Sequence, residues 1–305
     1  MPVATLTELL QNGVHFGHQT SRWNPKMRHY IFASRGGIHI IDVSQTVELL
    51  DHACQFAHDT VAQGGQILFV GTKKQAQDTL QSECERSGQP YVVNRWMGGM
   101  LTNFEVVKRQ LKRLAELTEM RERGAFQALS KKDQRRREDE LDRLQRNFGG
   151  ITNMKRLPAA VFVVDPHKER LAVTEARRLE IPIIAITDTN CDPEEISYVI
   201  PGNDDAIRSV RLITSRIVAG VMEGLEEHRQ IELAQARQAE ADREAHAEEA
   251  RIAAKAAEAA TAELAQAEVA QAEVAQAELA EAEKLPIPDE VPTQSAPEPA
   301  EGSAE

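Results

Sequence analysis

Apolar positions in the first 225 residues fall into two alternating patterns. Short, nearly continuous apolar runs occur at 38–43, 66–70, 91–93, 159–164, 183–186 and 198–200. Runs of this length read as strands buried on both faces of a parallel sheet. Between them the apolar residues space out at helical intervals. Thr46 is the expected cap of a helix with the stripe Val47, Leu50, Cys54, Ala57 and Val61, ended by Gly64 and Gly65. Segments 72–87 and 167–179 predict two further helices, and 204–225 a long closing one striped by Ile207, Val210, Thr214, Ile217 and Val221. Repeated strand–helix units predict an α/β fold: a parallel sheet with helices on both faces, in a Rossmann-like three-layer arrangement.

Residues 104–148 break this rhythm. Asn103 is a good helix cap, and Phe104, Val107, Leu111, Leu114 and Leu117 form a narrow stripe running on to Gly124. A second helix starts at Ser130, with Asp133 three residues later, and carries Leu141, Leu144 and Phe148 up to the Gly149-Gly150 stop. Such narrow stripes predict two helices zipped together, an antiparallel coiled-coil hairpin inserted in the α/β body. Its outer faces mix basic residues such as Lys108, Arg109, Arg135 and Arg136 with acids, the pattern of a solvated face.

The C-terminal segment changes character. Leu264, Val269, Val274 and Leu279 recur at intervals of five in an Ala-Glu-Gln background. Five residues rotate a helix by about 140° beyond a full turn, so no apolar stripe forms. A frayed, solvated helix or a disordered segment is expected, with disorder past Pro286. The predicted organisation is an α/β domain with an N-terminal arm over 1–103 and 149–228, the hairpin over 104–148, and an acidic tail over 229–305.

Charge sharpens this division. The 305 residues carry a net charge of −12. Residues 226–305 hold 20 acidic and 6 basic side chains, a net of −14, which leaves 30 basic and 28 acidic, a net of +2, in residues 1–225. The body is therefore compatible with a polyanionic partner although the whole chain is acidic. Cys54, Cys84 and Cys191 form no close pair, as expected in a reducing cytoplasm, and Cys54 lies on the apolar face of its helix. The N-terminus lacks the basic-then-apolar pattern of a secretion signal, and no run reaches the roughly 18 apolar residues of a membrane span. A soluble cytoplasmic protein is expected.

Two clusters carry candidate chemistry. In 14–30, cations alternate with aromatics: Arg22, Trp23, Asn24, Lys26, Arg28 and Tyr30, with Arg35 following before two glycines. The second is the segment 94–103, NRWMGGMLTN, in which Arg95 and Trp96 precede paired glycines and Asn103. Guanidinium groups hold phosphate and indoles stack on bases, so both clusters fit irregular RNA. An arm pinned by its aromatics and a buried Trp in a tight turn are the plain alternatives. Gly71, Thr72, Lys73 and Lys74 follow a predicted strand and open a helix, which makes an anion site. No GxGxxG or GxxxxGK[ST] motif supports a nucleotide there, so an RNA phosphate fits better than a diffusible cofactor. His18, Asp188 and Asp204 are candidate ligands of a divalent metal, zinc or magnesium, because late strand ends gather such groups. Helix capping by Asp204 and a turn at Asp192-Pro193 are the competing roles.

Taken in order, these segments resemble the bacterial small-subunit ribosomal protein S-two family. The resemblance rests on GVHFGHQT (13–20), WNPKM (23–27), ILFVGTK (67–73), RWMGGMLTN (95–103), DTNCDP (188–193) and IPGNDDAIR (200–208), spread over about 1–225. It implies an α/β domain with a protruding hairpin, placed at the head–body junction on the solvent side of the small subunit. It implies contact with small-subunit ribosomal RNA and other ribosomal proteins, docking of the protein S-one for messenger RNA capture, and neither catalysis nor a required cofactor. Neither membrane attachment nor homo-oligomerisation is expected. The resemblance does not extend to the acidic tail. The competing class is an α/β enzyme that uses the Gly71–Lys74 anion site for a phosphorylated substrate.

Overall fold

The computed structural model describes residues 3–282. The chain divides into two units between Ala234 and Gln235. The first contains a five-stranded sheet of β4 (Ile67–Val70), β5 (Tyr91–Val92), β6 (Ala160–Val164), β7 (Ile183–Thr187) and β8 (Tyr198–Pro201). Its spatial order is β5-β4-β6-β7-β8 and every pairing is parallel. The apolar runs thus form strands buried on both sides, and successive side chains feed opposite cores.

On one face Ile67, Phe69, Phe162, Val164, Ile184 and Ile186 pack with α2 (Val43–Ala62), α3 (Lys74–Ser87) and the start of α7 (Ile207–Ala282). On the other, Leu68, Val70, Val161, Val163 and Ala185 pack with α4 (Phe104–Glu122), α5 (Lys131–Phe148) and α6 (Arg170–Arg178). Cys54, Cys84 and Cys191 are all buried and free.

Helices α4 and α5 pair through Leu114, Leu117, Leu141 and Leu144, and Arg113 Nε reaches Glu140 Oε1 at 2.9 Å across them. Their apolar side chains join the core of the sheet's second face through Phe104, Val107 and Phe148. Ser130 caps α5 as expected, accepting from Asp133 N at 3.3 Å. Asn103 occupies the cap position of α4, but its side chain makes no capping bond.

The N-terminal arm departs from the sequence expectation. It starts with a short helix, α1 (Leu6–Gln11), and builds a second sheet of β1 (Phe16–Gln19), β2 (Ile31–Arg35) and β3 (Ile38–Ile41), ordered β1-β3-β2 and antiparallel throughout. The expected strand 38–43 therefore splits: its first half is β3 and Val43 already begins α2. Asp42, not Thr46, caps that helix by accepting from Ser44 N at 3.1 Å. Thr46 lies one turn inside, where its hydroxyl donates to the Pro201 carbonyl at 2.8 Å.

The closing helix outruns its expected end at 225, since α7 is continuous to Ala282. Residues 235–282 are helical, and Leu264, Val269 and Val274 are exposed, as a five-residue spacing requires. Strong Ala and Glu helix propensity explains why this segment is helical without an apolar face. The expectation for residues past Pro286 lies outside the described residues. Among the described residues no helix is long and apolar enough to cross a membrane.

Candidate functional site

The carboxyl ends of β6, β7 and β8 converge on a group of aspartates: Asp165 after β6, Asp188 after β7, and Asp204 and Asp205 after β8. Strand β1 runs past them. Gly17 is the point of approach, since a β-carbon there would lie 2.7 Å from Thr189 Cγ2 and 3.1 Å from Asp188 Oδ1. The next residue, His18, donates its backbone N–H to Asp188 Oδ1 at 3.1 Å and Thr189 Oγ1 at 3.0 Å. Its ring reaches Asp188 Oδ2 through Nδ1 at 3.0 Å and Asp205 Oδ2 through Nε2 at 3.5 Å. Asn24 N to Thr189 O at 2.7 Å and Asn203 N to Val14 O at 3.0 Å complete the stitching of the arm.

Lys73 closes the other side. Its Nζ lies 2.7 Å from Asp165 Oδ2, 2.8 Å from Asp204 Oδ1 and 2.9 Å from Asp205 Oδ1. Four aspartates against one lysine and one histidine leave the cluster anionic. Asp204 is fully buried and its Oδ2 has no hydrogen-bond partner. Burial raises its carboxyl to about 7, reinforced by Asp165 and Asp188 and opposed by Lys73. The hydrogen bond to Asp188 holds the His18 imidazole above its usual range despite desolvation. Ligand atoms of His18, Asp188 and Asp204 all lie within 4.8 Å of one another. An imidazole nitrogen with carboxylate oxygens suits zinc, and the oxygens alone suit magnesium.

Capping falls to neither Asp204 nor Asp205. Asn203 Oδ1 accepts from Asp205 N at 2.9 Å and Ala206 N at 3.1 Å, which leaves Asp204 free for the cluster. Asp192 holds the expected turn, accepting from Glu194 N at 3.1 Å.

The anion site expected at Gly71–Lys74 is filled by the protein itself. Glu169 Oε1 accepts from Thr72 N at 2.9 Å and Thr72 Oγ1 at 2.5 Å. Lys73 spends its charge on three aspartates, so this helix start presents no free anion cradle. Of the four residues, Lys74 is exposed and makes no ion pair among the described residues.

The NRWMGGMLTN segment is likewise turned inward. Trp96 is 5% exposed, and its indole Nε1 donates to Glu175 Oε1 at 3.1 Å. The same carboxylate accepts from Gly99 N at 2.8 Å, Leu101 N at 3.0 Å, Thr102 N at 3.1 Å and Thr102 Oγ1 at 3.2 Å. Gly99, at φ +87°, turns the loop around that carboxylate. Trp96 is therefore a core residue and offers no face for stacking on RNA.

The first cluster divides. Arg22, Arg28 and Arg35, and Arg95 in the second cluster, are exposed and make no ion pair among the described residues. Lys26 is committed to Asp192 at 2.8 Å and Glu194 at 2.5 Å, so its charge serves the fold. Asn24 also acts internally, its Oδ1 accepting from Lys26 N at 3.0 Å. Trp23 is half-buried with its ring 5.1 Å from that of His39, and Tyr30 is half-buried. Met27, fully buried, anchors the arm.

Sequence reading missed Glu175 and Glu169, which look like any other acid on a charged helix. It also missed Phe32, which is 77% exposed on β2. Its neighbours in the arm carried the signal of cations interleaved with aromatics.

A family model described as ribosomal protein S2 matches residues 9–224, which takes in the arm, both helices of the α4–α5 pair, the aspartate cluster and the first part of α7. The chain thus belongs to the ribosomal protein S2 family, whose members are structural, non-enzymatic proteins of the small ribosomal subunit.

Proposed function

We propose that this protein is a cytoplasmic structural constituent of the small ribosomal subunit that binds small-subunit ribosomal RNA at the head–body junction. The observation that carries this reading is the set of exposed cations on the arm, Arg22, Arg28 and Arg35, which make no ion pair among the described residues, together with Phe32, exposed on the same arm. Side chains of this kind hold phosphate and stack on unpaired bases. Arg95 and Lys74 extend the set. The net charge of +2 in residues 1–225 agrees with a polyanionic partner, while the −14 of residues 226–305 is repelled by one. Residues 104–148 act as a coiled-coil hairpin of the α/β body, and residues from 229 as a solvated extension. The same protein offers the docking surface for S-one and so assists messenger RNA capture.

His18, Asp188 and Asp204 hold a structural divalent metal in this reading. The buried, unpartnered Asp204 Oδ2 supports it, because such an oxygen costs stability unless a proton or cation meets it. The ion would lock β1, and with it the cationic arm, to the ends of the main sheet.

Co-sedimentation of the full chain with small subunits in high salt, followed by crosslink mapping, tests this function. Crosslinks from the arm to ribosomal RNA are expected. A chain that stays in the supernatant, or that crosslinks only through its α7 end, would overturn the reading.

A further inference from the structure

The loop 97–103, the start of α4 and the end of α5 enclose a pocket of about 330 Å³. This is within the range of roughly 300–1,000 Å³ typical of small-ligand sites. Met97, Met100, Val107, Leu144 and Phe148 supply apolar walls. Asn103, Gln110 and Asn147 bring three carboxamides to the same space, and Arg143 is its single ionisable lining residue. None of the three carboxamides hydrogen-bonds within the chain among the described residues, and Asn103 leaves its capping role unfilled.

The pocket is built in advance. Glu175 fixes its loop through Gly99, Leu101 and Thr102, and Asn94 Nδ2 donates to the Arg146 carbonyl at 2.7 Å, tying the loop's start to the end of α5. Arg95 and Arg146 are exposed and make no ion pair among the described residues. The site therefore suits a flat apolar body with donor and acceptor edges and a negative charge beside it. A nucleotide combines these features. Its base fills an apolar slot, its edge pairs with carboxamides, and its phosphate meets guanidinium. An apolar protein side chain would need only the walls and would leave three carboxamides without purpose.

We propose that this pocket receives one unstacked base of ribosomal RNA, read by Asn103, Gln110 and Asn147, with its phosphate against Arg143. This rests on the ribosomal RNA binding proposed above and adds a base-specific contact to it.

Gly98 provides the test. A β-carbon there meets nothing within 4 Å and its φ is not left-handed, so Gly98→Phe adds a ring at a residue that lines the pocket without a clash at the β-carbon. The full chain, wild type, Gly98→Phe and Asn147→Ala, is titrated against small-subunit ribosomal RNA and the RNA is probed with dimethyl sulfate. Gly98→Phe is expected to weaken binding about tenfold, the scale of one stacked base removed. One unpaired base protected by wild type regains reactivity with Gly98→Phe and partly with Asn147→Ala. Equal affinity and unchanged protection for all three proteins would overturn the pocket proposal and leave general RNA binding intact. A wild type with no affinity for the RNA would overturn the RNA reading itself. Unchanged RNA binding with impaired entry of Gly98→Phe into complete subunits would assign the pocket to a protein partner and reject the base.

Discussion

The indole N–H of Trp96 and the Glu175 carboxylate meet at 3.1 Å inside the protein. That bond is one of five the carboxylate accepts from a single loop. A helix on one side of the loop thus organises ten residues that by composition look like a surface site. Arg95, one residue before Trp96, remains exposed. The exposed and buried parts of the loop are adjacent in sequence and opposite in direction.

Removing the acceptor strands its donors. Glu175→Ala is expected to destabilise the fold by about 3 kcal/mol or more, because each buried donor left unpaired costs about 1–3 kcal/mol. Glu175→Gln keeps an acceptor oxygen and should cost less. Urea denaturation of the two variants checks the order. Equal stability of Glu175→Ala and wild type would show that the loop holds without its carboxylate.

The same group predicts a pH dependence. Burial raises the Glu175 carboxyl, but the donors from Trp96, Gly99, Leu101 and Thr102 together outweigh burial and hold it below its ordinary 4.5. A depressed folded-state value means that its stabilisation is complete above the unfolded value and is lost as pH falls through the folded one. Wild type should therefore lose stability below about pH 4.5 more steeply than Glu175→Gln. Parallel pH–stability curves would contradict this.

The arm arginines should act through phosphate. An Arg22→Ala, Arg28→Ala, Arg35→Ala variant is expected to fold normally, since among the described residues none of the three makes an ion pair. Its affinity for small-subunit ribosomal RNA should fall, and the salt slope should flatten by roughly 0.7–0.9 for each phosphate no longer neutralised. Lys26→Ala belongs to a different class: without the ion pairs to Asp192 and Glu194 the arm should loosen while the salt slope stays unchanged. Identical slopes for wild type and the triple variant would remove these arginines from the interface.

Protein purified without chelator should carry about one equivalent of divalent metal by elemental analysis, with zinc or magnesium as the candidates. Asp204→Asn should abolish it, and EDTA should lower the melting temperature of wild type alone. Metal-free protein with unchanged melting in EDTA would leave Lys73 as the cation that serves this cluster.

Truncation after Arg229 should leave the melting temperature and RNA affinity unchanged. His228, just before the cut, touches the sheet-bearing body, with Nδ1 3.0 Å from the Ala62 carbonyl. Beyond it Ile231, Leu233 and Ile252 are exposed. A fall in melting temperature, or failure to enter small subunits, would show that the extension packs on a partner.

Local pattern alone determined the sheet and most of its helices. Runs such as Ile67–Val70 and Ala160–Val164 are apolar throughout, and only a strand covered on both faces satisfies that. The candidate metal ligands were also legible, since His18, Asp188 and Asp204 each stand out by residue type. What brings His18 to the two aspartates is contact across more than 160 positions, between β1 and the residues that follow β7, which has no strong local signature. Burial was the other property decided only in three dimensions. Trp96 and Trp23 look alike in sequence, yet one is sealed against Glu175 and the other is half-exposed beside His39. Lys73 and Lys74 are neighbours, yet one is bound by three aspartates and the other is exposed. Composition specifies which chemistry a side chain can perform. Packing decides whether solvent, a partner or the protein's own carboxylates receive it.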